Sequence, residues 1–390
     1  MTKSVSRGPD LLHGPVFSNM TRFFLPIMLG SLLQQLYSMV DAVVLGRLVG
    51  KTALAAVGGS DLAIINLVVG FFVGLASGAC VVVSQHYGAG EDGAVRRAVH
   101  TAILFSVVIG AVMTALGILM ARPVLVLLDP PADTLADSIV YLQWYFAGMI
   151  PSMVYNMGAG ILRAVGDSKR PLYFLIISCI CNIILDLAFV VALKLGVAGV
   201  GIATILSQLI SAVLVMATLM RSETAIRFVP RQLGFSGKLL KDIVRIGLPA
   251  GMQSVLYSIS NAILQSTVNS FGTTVIAAYT AYGKIDGFFW MVIGAFGVSI
   301  TTFVGQNFGA QKYDRMRKST RVCLCMAFGT TFLIEALFYF GSSFVMQLFS
   351  RDPAVIEQGV RIAQHLAPFL CLYVCVEILS GTLRGTGDSI

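Results

Sequence analysis

Apolar runs of about 20 residues recur along the whole chain, and they constrain its fold more than any other feature. A helical run of this length matches the thickness of the hydrocarbon core of a bilayer. Only 12% of the residues are charged, against about 25% in a typical soluble domain, so polar side chains cannot cover a globule in water. We therefore expect an all-α polytopic membrane protein, because a helix satisfies its backbone polar groups within its own segment.

The pattern of apolar runs predicts ten membrane-spanning helices. We place them at residues 22–46, 54–84, 98–121, 138–161, 172–194, 199–220, 243–269, 275–304, 319–345 and 360–383. About three quarters of the 27 Lys and Arg residues then fall on the same side of the membrane as the N-terminus. This asymmetry predicts a multi-pass protein of the cell (inner) membrane with a cytoplasmic N-terminus.

Two short motifs occur twice in the chain at one common spacing. Q-H-Y-G-A-G at Gln85–Gly90 returns as Q-N-F-G-A-Q at Gln306–Gln311. L-R-A-V-G-D-S at Leu162–Ser168 returns as L-R-G-T-G-D-S at Leu383–Ser389, and both pairs are 221 residues apart. Two matches at one offset indicate an internal duplication with six helices in each repeat. Because six is even, both repeats should enter the membrane from the same side.

The duplication also predicts how the chain divides into domains. Residues 1–220 should form an N-terminal six-helix lobe, residues 221–241 a basic cytoplasmic linker, and residues 242–390 a C-terminal lobe of about four helices. The first L-R-x-x-G-D-S motif is followed by two further spans, whereas the second is followed by Ile390 alone. We therefore expect the last two helices of the C-terminal lobe to be missing from this chain.

Together these features resemble the multidrug and toxic compound extrusion (MATE) family, and within it the prokaryotic DinF-like branch. The resemblance rests on the paired motifs, on the six-plus-six duplication, and on a Leu-Pro pair at Leu25–Pro26 that returns at Leu248–Pro249. It implies two homologous helix bundles, twelve helices in the full family fold, around a V-shaped central cavity. It also implies a secondary transporter in which a cation gradient drives export of drug-like molecules.

Two acidic side chains in the predicted spans have polar partners on the same helix face. Gln34 and Tyr37 precede Asp41 by seven and four residues, and Asn182 precedes Asp186 by four. Two carboxylates and an amide suit a monovalent cation or a proton, because two such acids in a low dielectric cannot both stay ionised and unpaired. The alternative is that both acids only fix the packing of their helices.

The resemblance extends these candidates to a complete cation site. In the DinF-like branch, an Asp on the first helix, an N-x-x-x-D on the fifth and a Thr on the sixth bind the cation. These positions correspond here to Asp41, Asn182 with Asp186, and Thr204. Pro26 matches the position at which that branch bends its first helix, and the alternative for this proline is a static kink.

The candidate substrate-binding residues come from both halves of the chain. The family's substrate-facing positions correspond to Gln34, Tyr37 and Asn156. Asp286 is expected near the midplane of the cavity, and Glu377 occupies the place of Asn156 in the second repeat. The NorM-type branch has an acid elsewhere on this tenth helix, and this chain has none at that place.

These predictions favour an antiporter that exports lipophilic cationic drugs or toxic compounds in exchange for H⁺ or Na⁺. The ionisable residues that we single out within the apolar spans are five acids and one lysine, which are Asp41, Asp186, Lys284, Asp286, Glu335 and Glu377. The alternative is a lipid-linked oligosaccharide flippase of the same wider superfamily, whose pyrophosphate substrate would need Arg and Lys in the cavity.

A membrane-embedded enzyme is a third class, and the sequence argues against it. The chain has no nucleophile or metal cluster that suggests catalysis and no Walker A loop for direct ATP drive. We therefore expect no cofactor, no metal beyond Na⁺, and no nucleic acid partner. The expected partners are small organic substrates and the lipid bilayer, and the protein is expected to be a monomer.

Overall fold

The computed structural model describes residues 9–50, 53, 57, 60–128, 134–232 and 234–389. Within these residues it contains α-helices and no β-strands, as the apolar pattern predicts. The helices are α1 Val16–Val44, α2 Ser60–Gly88, α3 Asp92–Leu127, α4 Leu135–Ala147, α5 Met149–Ala164, α6 Lys169–Leu187, α7 Gly196–Met220, α8 Gly237–Asn269, α9 Thr273–Gly309, α10 Tyr313–Phe349 and α11 Pro353–Thr386. Leu45–Val49 and Ala188–Ala192 are π-helical turns that extend α1 and α6, and Pro230–Gln232 is a 3₁₀ turn.

In the described part of the chain, eight helices are long and apolar enough to cross a membrane. Two predicted spans do not meet that standard. The span at 138–161 is divided at Gly148 into α4 and α5, which are 13 and 16 residues long. The span at 243–269 lies within α8, whose many Ser, Gln and Asn residues lower its hydropathy. Residues 54–56, 58 and 59 of the predicted second span lie outside the described residues.

Glycine pairs let α2 and α8 cross at close range, which joins the two predicted lobes. Gly74 and Gly78 on α2 face Gly251 and Gly247 on α8. A Cβ atom added to any of the four would lie within 3 Å of the opposite backbone, so only glycine fits these positions. Two G-x-x-x-G faces of this kind are typical of tightly packed membrane helices. The division into lobes at residues 1–220 and 242–390, with a linker at 221–241, stays a prediction from the sequence.

The two copies of each motif contact one another reciprocally at one end of the molecule. Gln85 Nε2 donates a hydrogen bond to the Gly385 carbonyl at 2.9 Å, and Gln306 Nε2 donates one to the Ala164 carbonyl at 2.6 Å. Gln85 corresponds to Gln306, and Ala164 to Gly385, at the same offset of 221 residues. Each glutamine therefore binds the L-R-x-x-G-D-S motif of the other repeat.

The glycines of the glutamine motifs repeat this reciprocity. A Cβ on Gly88 would collide with the backbone of Gln306, and a Cβ on Gly309 would collide with the backbone of Gln85. When residue i contacts j and j contacts i, the two parts are related by a two-fold axis. Both motifs lie at the C-terminal ends of their helices, so α2 and α9 run in the same direction. The repeats are therefore parallel, as an even number of helices per repeat predicts.

Helix α1 packs against both halves of the chain. Near its start, Phe24 stacks on Phe296 of α9 with ring centroids 3.9 Å apart. Further along, Gly30 lies against Leu175 of α6, and the second half of α1 follows α6. Pro26 lies between these two contacts, and α1 is helical on both sides of it.

The segment before α1 is held by the C-terminal helices. The guanidinium of Arg315 donates hydrogen bonds to the carbonyls of Leu11, His13 and Gly14 at 2.8–3.0 Å. The Asn307 amide donates to the Leu11 carbonyl at 3.2 Å. Residues 11–14 are therefore attached to α9 and α10.

Gly309→Ala should destabilise the protein, because the new methyl group would collide with the Gln85 backbone. Overpacking of this kind lowers the free energy of unfolding by about 1–3 kcal/mol. Gly294→Ala is the matched control on the same helix, because a Cβ there has open space around it. The free energy of unfolding of this control should rise by about 0.5–1 kcal/mol, because Ala has a higher helix propensity than Gly. Thermal unfolding of both variants measures the difference, and equal stability would contradict the close contact.

Candidate functional site

The two predicted acids of the N-terminal half lie together in the interior. Asp41 on α1 and Asp186 on α6 are both buried, and their carboxyl groups are within hydrogen-bonding reach of each other. The Oδ1 atom of Asp186 has no hydrogen-bond partner. Two carboxylate oxygens cannot bond to each other without a shared proton, so the arrangement requires a proton or a cation between them.

Asn182 connects the two acids through its amide. With its nitrogen turned toward them, Nδ2 donates to Asp41 Oδ1 at 3.1 Å and to Asp186 Oδ2 at 3.2 Å. We expected this residue to contribute an oxygen ligand. With this assignment the amide donates to both carboxyl groups, and its oxygen would reach a cation only after the amide turns over.

A tyrosine and a threonine complete the polar side of this site. The Tyr37 hydroxyl lies beside Asp41 and donates to Thr204 Oγ1 at 3.4 Å. Thr204 Oγ1 also donates to the Val200 carbonyl at 2.9 Å. The structure therefore brings together the four residues of the predicted cation site, with Tyr37 as a fifth member.

Both helices that carry the acids end in a π-helical turn soon after them. These turns, Leu45–Val49 and Ala188–Ala192, contact each other. A π turn adds one residue to a helical turn, and such insertions are frequent at functional sites. The ends of α1 and α6 are therefore in contact close to Asp41 and Asp186.

The predicted substrate residues fall into separate groups. Gln34 and Tyr37 line a cavity between α1, α6 and α7, together with Ser178 and Ser207. The amide of Asn156 donates to the carbonyl of Ser152 on its own helix, at 2.9 Å. The other two candidates, Asp286 and Glu377, belong to a cluster on the C-terminal helices.

Aromatic rings surround the two acids of the C-terminal half. Trp290 Nε1 donates to Asp286 Oδ2 at 2.6 Å, and Tyr373 donates from its hydroxyl to Glu377 Oε2 at 3.3 Å. The rings of Trp290 and Tyr373 meet edge to face at 4.7 Å, and Tyr257 of α8 lies beside both. Trp290 is 42% exposed and Tyr257 39% exposed, so the cluster has an open side. We call these five residues the aromatic–acid cluster.

The sequence analysis did not predict the aromatic members of this cluster. A signal was present, because Trp290 follows Asp286 by four residues and Tyr373 precedes Glu377 by four. That spacing places a ring donor beside each carboxylate on one helix face. Tyr257 could not be found in this way, because it lies on a third helix.

Asn182→Ala should destabilise the folded protein, because both buried carboxyl groups would lose their common donor. Leaving such groups unpaired costs about 1–3 kcal/mol of the free energy of unfolding. Asn156→Ala is the matched control, since its amide bonds only to its own helix, and it should cost less than about 1 kcal/mol. Thermal unfolding at neutral pH compares the two, and equal losses would show that Asn182 does not support the acids.

A family model and several known proteins match this chain. The MatE family model matches residues 26–188 and 249–390. The chain is 27% identical over 379 residues to the probable multidrug resistance protein YoeA of Bacillus subtilis, covering 95% of this chain and 82% of YoeA. It is 23% identical over 376 residues to the multidrug export protein MepA of Staphylococcus aureus, covering 96% of this chain and 82% of MepA.

Solved transporter structures share the fold. One is the outward-facing conformation of a multidrug resistance MATE family transporter of the MOP superfamily. It aligns with a TM-score of 0.91 at 23% identity, over 99% of this chain and 86% of that chain. The matched residues include both copies of each paired motif and both halves of the duplication. The chain therefore belongs to the MatE family of multi-pass membrane transporters, the multidrug and toxic compound extrusion proteins that its motifs resemble.

Proposed function

We propose that this protein is an antiporter that exports lipophilic organic cations in exchange for H⁺ or Na⁺. The observation that carries the proposal is the buried pair of acids, Asp41 and Asp186, within hydrogen-bonding reach of each other. A pair of this kind is costly inside a membrane unless a proton or cation compensates it. The names of the relatives, which are multidrug resistance and export proteins, support the direction of transport.

The coupling ion would bind among the side chains that now surround the acid pair. A proton fits directly, since it lets one carboxyl group donate to the other. Na⁺ prefers oxygen ligands, which the two carboxyl groups, Thr204 and the turned amide of Asn182 would supply. Either ion removes the repulsion between Asp41 and Asp186, so its release pushes α1 and α6 apart.

Helix α1 can couple a change at the acid pair to a movement of the two halves relative to each other. Its second half carries Asp41, whereas its first half is fixed to α9 through Phe24 and Phe296. Pro26 lies between these parts and removes one helical hydrogen bond, so α1 can bend there at low cost. A change in ion occupancy then shifts the balance between two conformations, as exchange of ion for substrate requires.

The aromatic–acid cluster is the proposed binding surface for the organic cation. Aromatic faces attract positive charge, and Asp286 and Glu377 would neutralise it. Glu377 is the counterpart of Asn156 in the other repeat, and Tyr257 is the counterpart of Gln34 at the offset of the Leu-Pro pairs. These positions are therefore equivalent under the two-fold relation between the repeats. This argues for one substrate site lined from both sides.

The reciprocal motif contact lies on the side of the molecule where the chain begins. With the N-terminus cytoplasmic, as the Lys and Arg distribution predicts, that contact closes the cytoplasmic end of the cleft. The aromatic–acid cluster then faces an opening on the outer side. This arrangement corresponds to the state from which an exporter releases its substrate and takes up the coupling ion.

Asp41→Asn and Asp186→Asn should each abolish gradient-driven efflux of a cationic dye, reducing it about 100-fold or more. Asn preserves the size of the side chain and removes the charge that binds the ion. Asp314→Asn is the matched control, because its side chain is fully exposed at the start of α10. Efflux is measured in proteoliposomes under separate H⁺ and Na⁺ gradients, with the amount of protein in the membrane quantified for each variant.

Normal efflux by both Asp41→Asn and Asp186→Asn would show that these acids are structural. A protein that leaves cationic dyes unmoved and instead transfers anionic lipid-linked precursors would support the flippase alternative. That result would also be difficult to reconcile with two acids in the aromatic–acid cluster.

Trp290→Leu should weaken the binding of a quaternary cation by about 5- to 30-fold, the effect of losing one cation–π contact in a partly buried site. Trp144→Leu is the matched control, since Trp144 is the other tryptophan and is 39% exposed on α4. Binding of tetraphenylphosphonium is compared with that of a neutral compound of similar shape. An equal loss for both ligands would mean that Trp290 contributes only apolar surface.

A further inference from the structure

A small, partly enclosed cavity lies between α9, α10 and α11, away from the paired acids Asp41 and Asp186. Its walls are mostly apolar, with Phe338 and Met346 prominent among them. Its polar lining includes Tyr282, Asp286 and Glu335. Asp286 faces two ways, because Oδ1 accepts from the Tyr282 hydroxyl at 3.3 Å and Oδ2 accepts from Trp290 in the aromatic–acid cluster.

Glu335 is the unexplained group in this cavity. Its side chain belongs to a residue that is only 6% exposed, and Oε1 has no hydrogen-bond partner. Oε2 accepts one hydrogen bond, from the Cys371 thiol of α11 at 3.1 Å. A thiol is a weak donor, so an ionised Glu335 would be almost uncompensated.

No cation neutralises this carboxylate in the part of the chain that the structure describes. The titratable groups that face Glu335 are Tyr282 and Asp286 from α9 and Cys371 from α11, none of which carries positive charge. Lys284, the lysine nearest along α9, is on the exposed face of that helix. A buried carboxyl group without a counter-ion is stable when it carries a proton.

The duplication shows that helix packing does not require an acid here. Thr114 is the counterpart of Glu335 in the first repeat, at the offset of 221 residues. Its hydroxyl donates to the Phe146 carbonyl at 2.9 Å and is thereby satisfied. The second repeat has an acid with a free oxygen at the same place, and that difference points to a ligand.

We propose that Glu335 is a second proton-binding site, located in the C-terminal helices and separate from the Asp41–Asp186 pair. The proton resides on Oε1, the oxygen that faces the cavity without a partner. Tyr282 and Asp286 line the same cavity as Glu335, and Asp286 also accepts a hydrogen bond from Trp290 of the aromatic–acid cluster. The proposed proton site therefore adjoins that cluster. The site does not depend on the proposed antiport, and its test needs neither substrate nor gradient.

Dicyclohexylcarbodiimide tests this directly on the wild-type protein, because it adds to protonated carboxyl groups in apolar surroundings and forms a stable N-acylurea. The purified chain is treated over a pH series on both sides of neutrality, and the modified residue is identified by tandem mass spectrometry. We expect modification of Glu335 at low pH that falls about tenfold per pH unit once the group is mostly ionised. Glu357 is the internal control, since it is exposed and paired with Arg361, and it should stay unmodified.

Two further experiments test whether the modification is specific to Glu335 and whether Na⁺ competes with it. Glu335→Gln should lose the modification at this position while other carboxyl groups react as before. Replacing choline by Na⁺ at constant pH should leave the reaction at Glu335 unchanged. The proposal is overturned if Glu335 is unmodified at every pH, reacts no faster than Glu357, reacts independently of pH, or is protected by Na⁺, which would make it a sodium site.

Discussion

The reciprocal contact between the paired motifs is the interaction on which the rest of the arrangement depends. Gln85 and Gln306 each bind a backbone carbonyl of the other repeat, at 2.9 and 2.6 Å. Gly88 and Gly309 allow the helix ends to approach closely enough for these bonds to form. Because the contact joins the halves at one end only, any cleft between them opens toward the other end. The motifs thus hold the two repeats in their two-fold relation.

The two repeats share this symmetry but differ in their chemistry. Asp41 corresponds to Leu264 on α8, so the second repeat lacks the acid that the first repeat places on its first helix. Conversely, Thr114 corresponds to Glu335, and Asn156 to Glu377. Duplication supplies one scaffold twice, and in the proposed antiport the substitutions at equivalent positions would let one half bind the ion and the other contribute to the substrate site. Helix α1 joins the halves mechanically because it packs against both.

Much of the candidate site could be predicted because helices obey a simple period. A spacing of four residues placed Asp41 with Tyr37 and Asp186 with Asn182, and the resemblance added Thr204. The orientation of the Asn182 amide could not be predicted, since it depends on which atoms surround it in three dimensions. The break between α4 and α5 at Gly148 could not be predicted either. Nor could the contact between Tyr257 and Trp290, which lie on different helices. Periodicity assigns a face to each helix, whereas tertiary packing decides which faces meet.

In the proposed antiport, the coupling ion and the organic cation compete through two conformations of this protein. The most direct measurement is the number of ions released when a cationic substrate binds to the purified chain. Calorimetric titration in buffers of different ionisation enthalpy counts protons, and the dependence of binding on Na⁺ concentration counts sodium ions. We expect release of about one H⁺ or Na⁺ per substrate, and we expect this release to be lost in Asp41→Asn and in Asp186→Asn. Tight substrate binding that releases neither ion at any pH or Na⁺ concentration would contradict it.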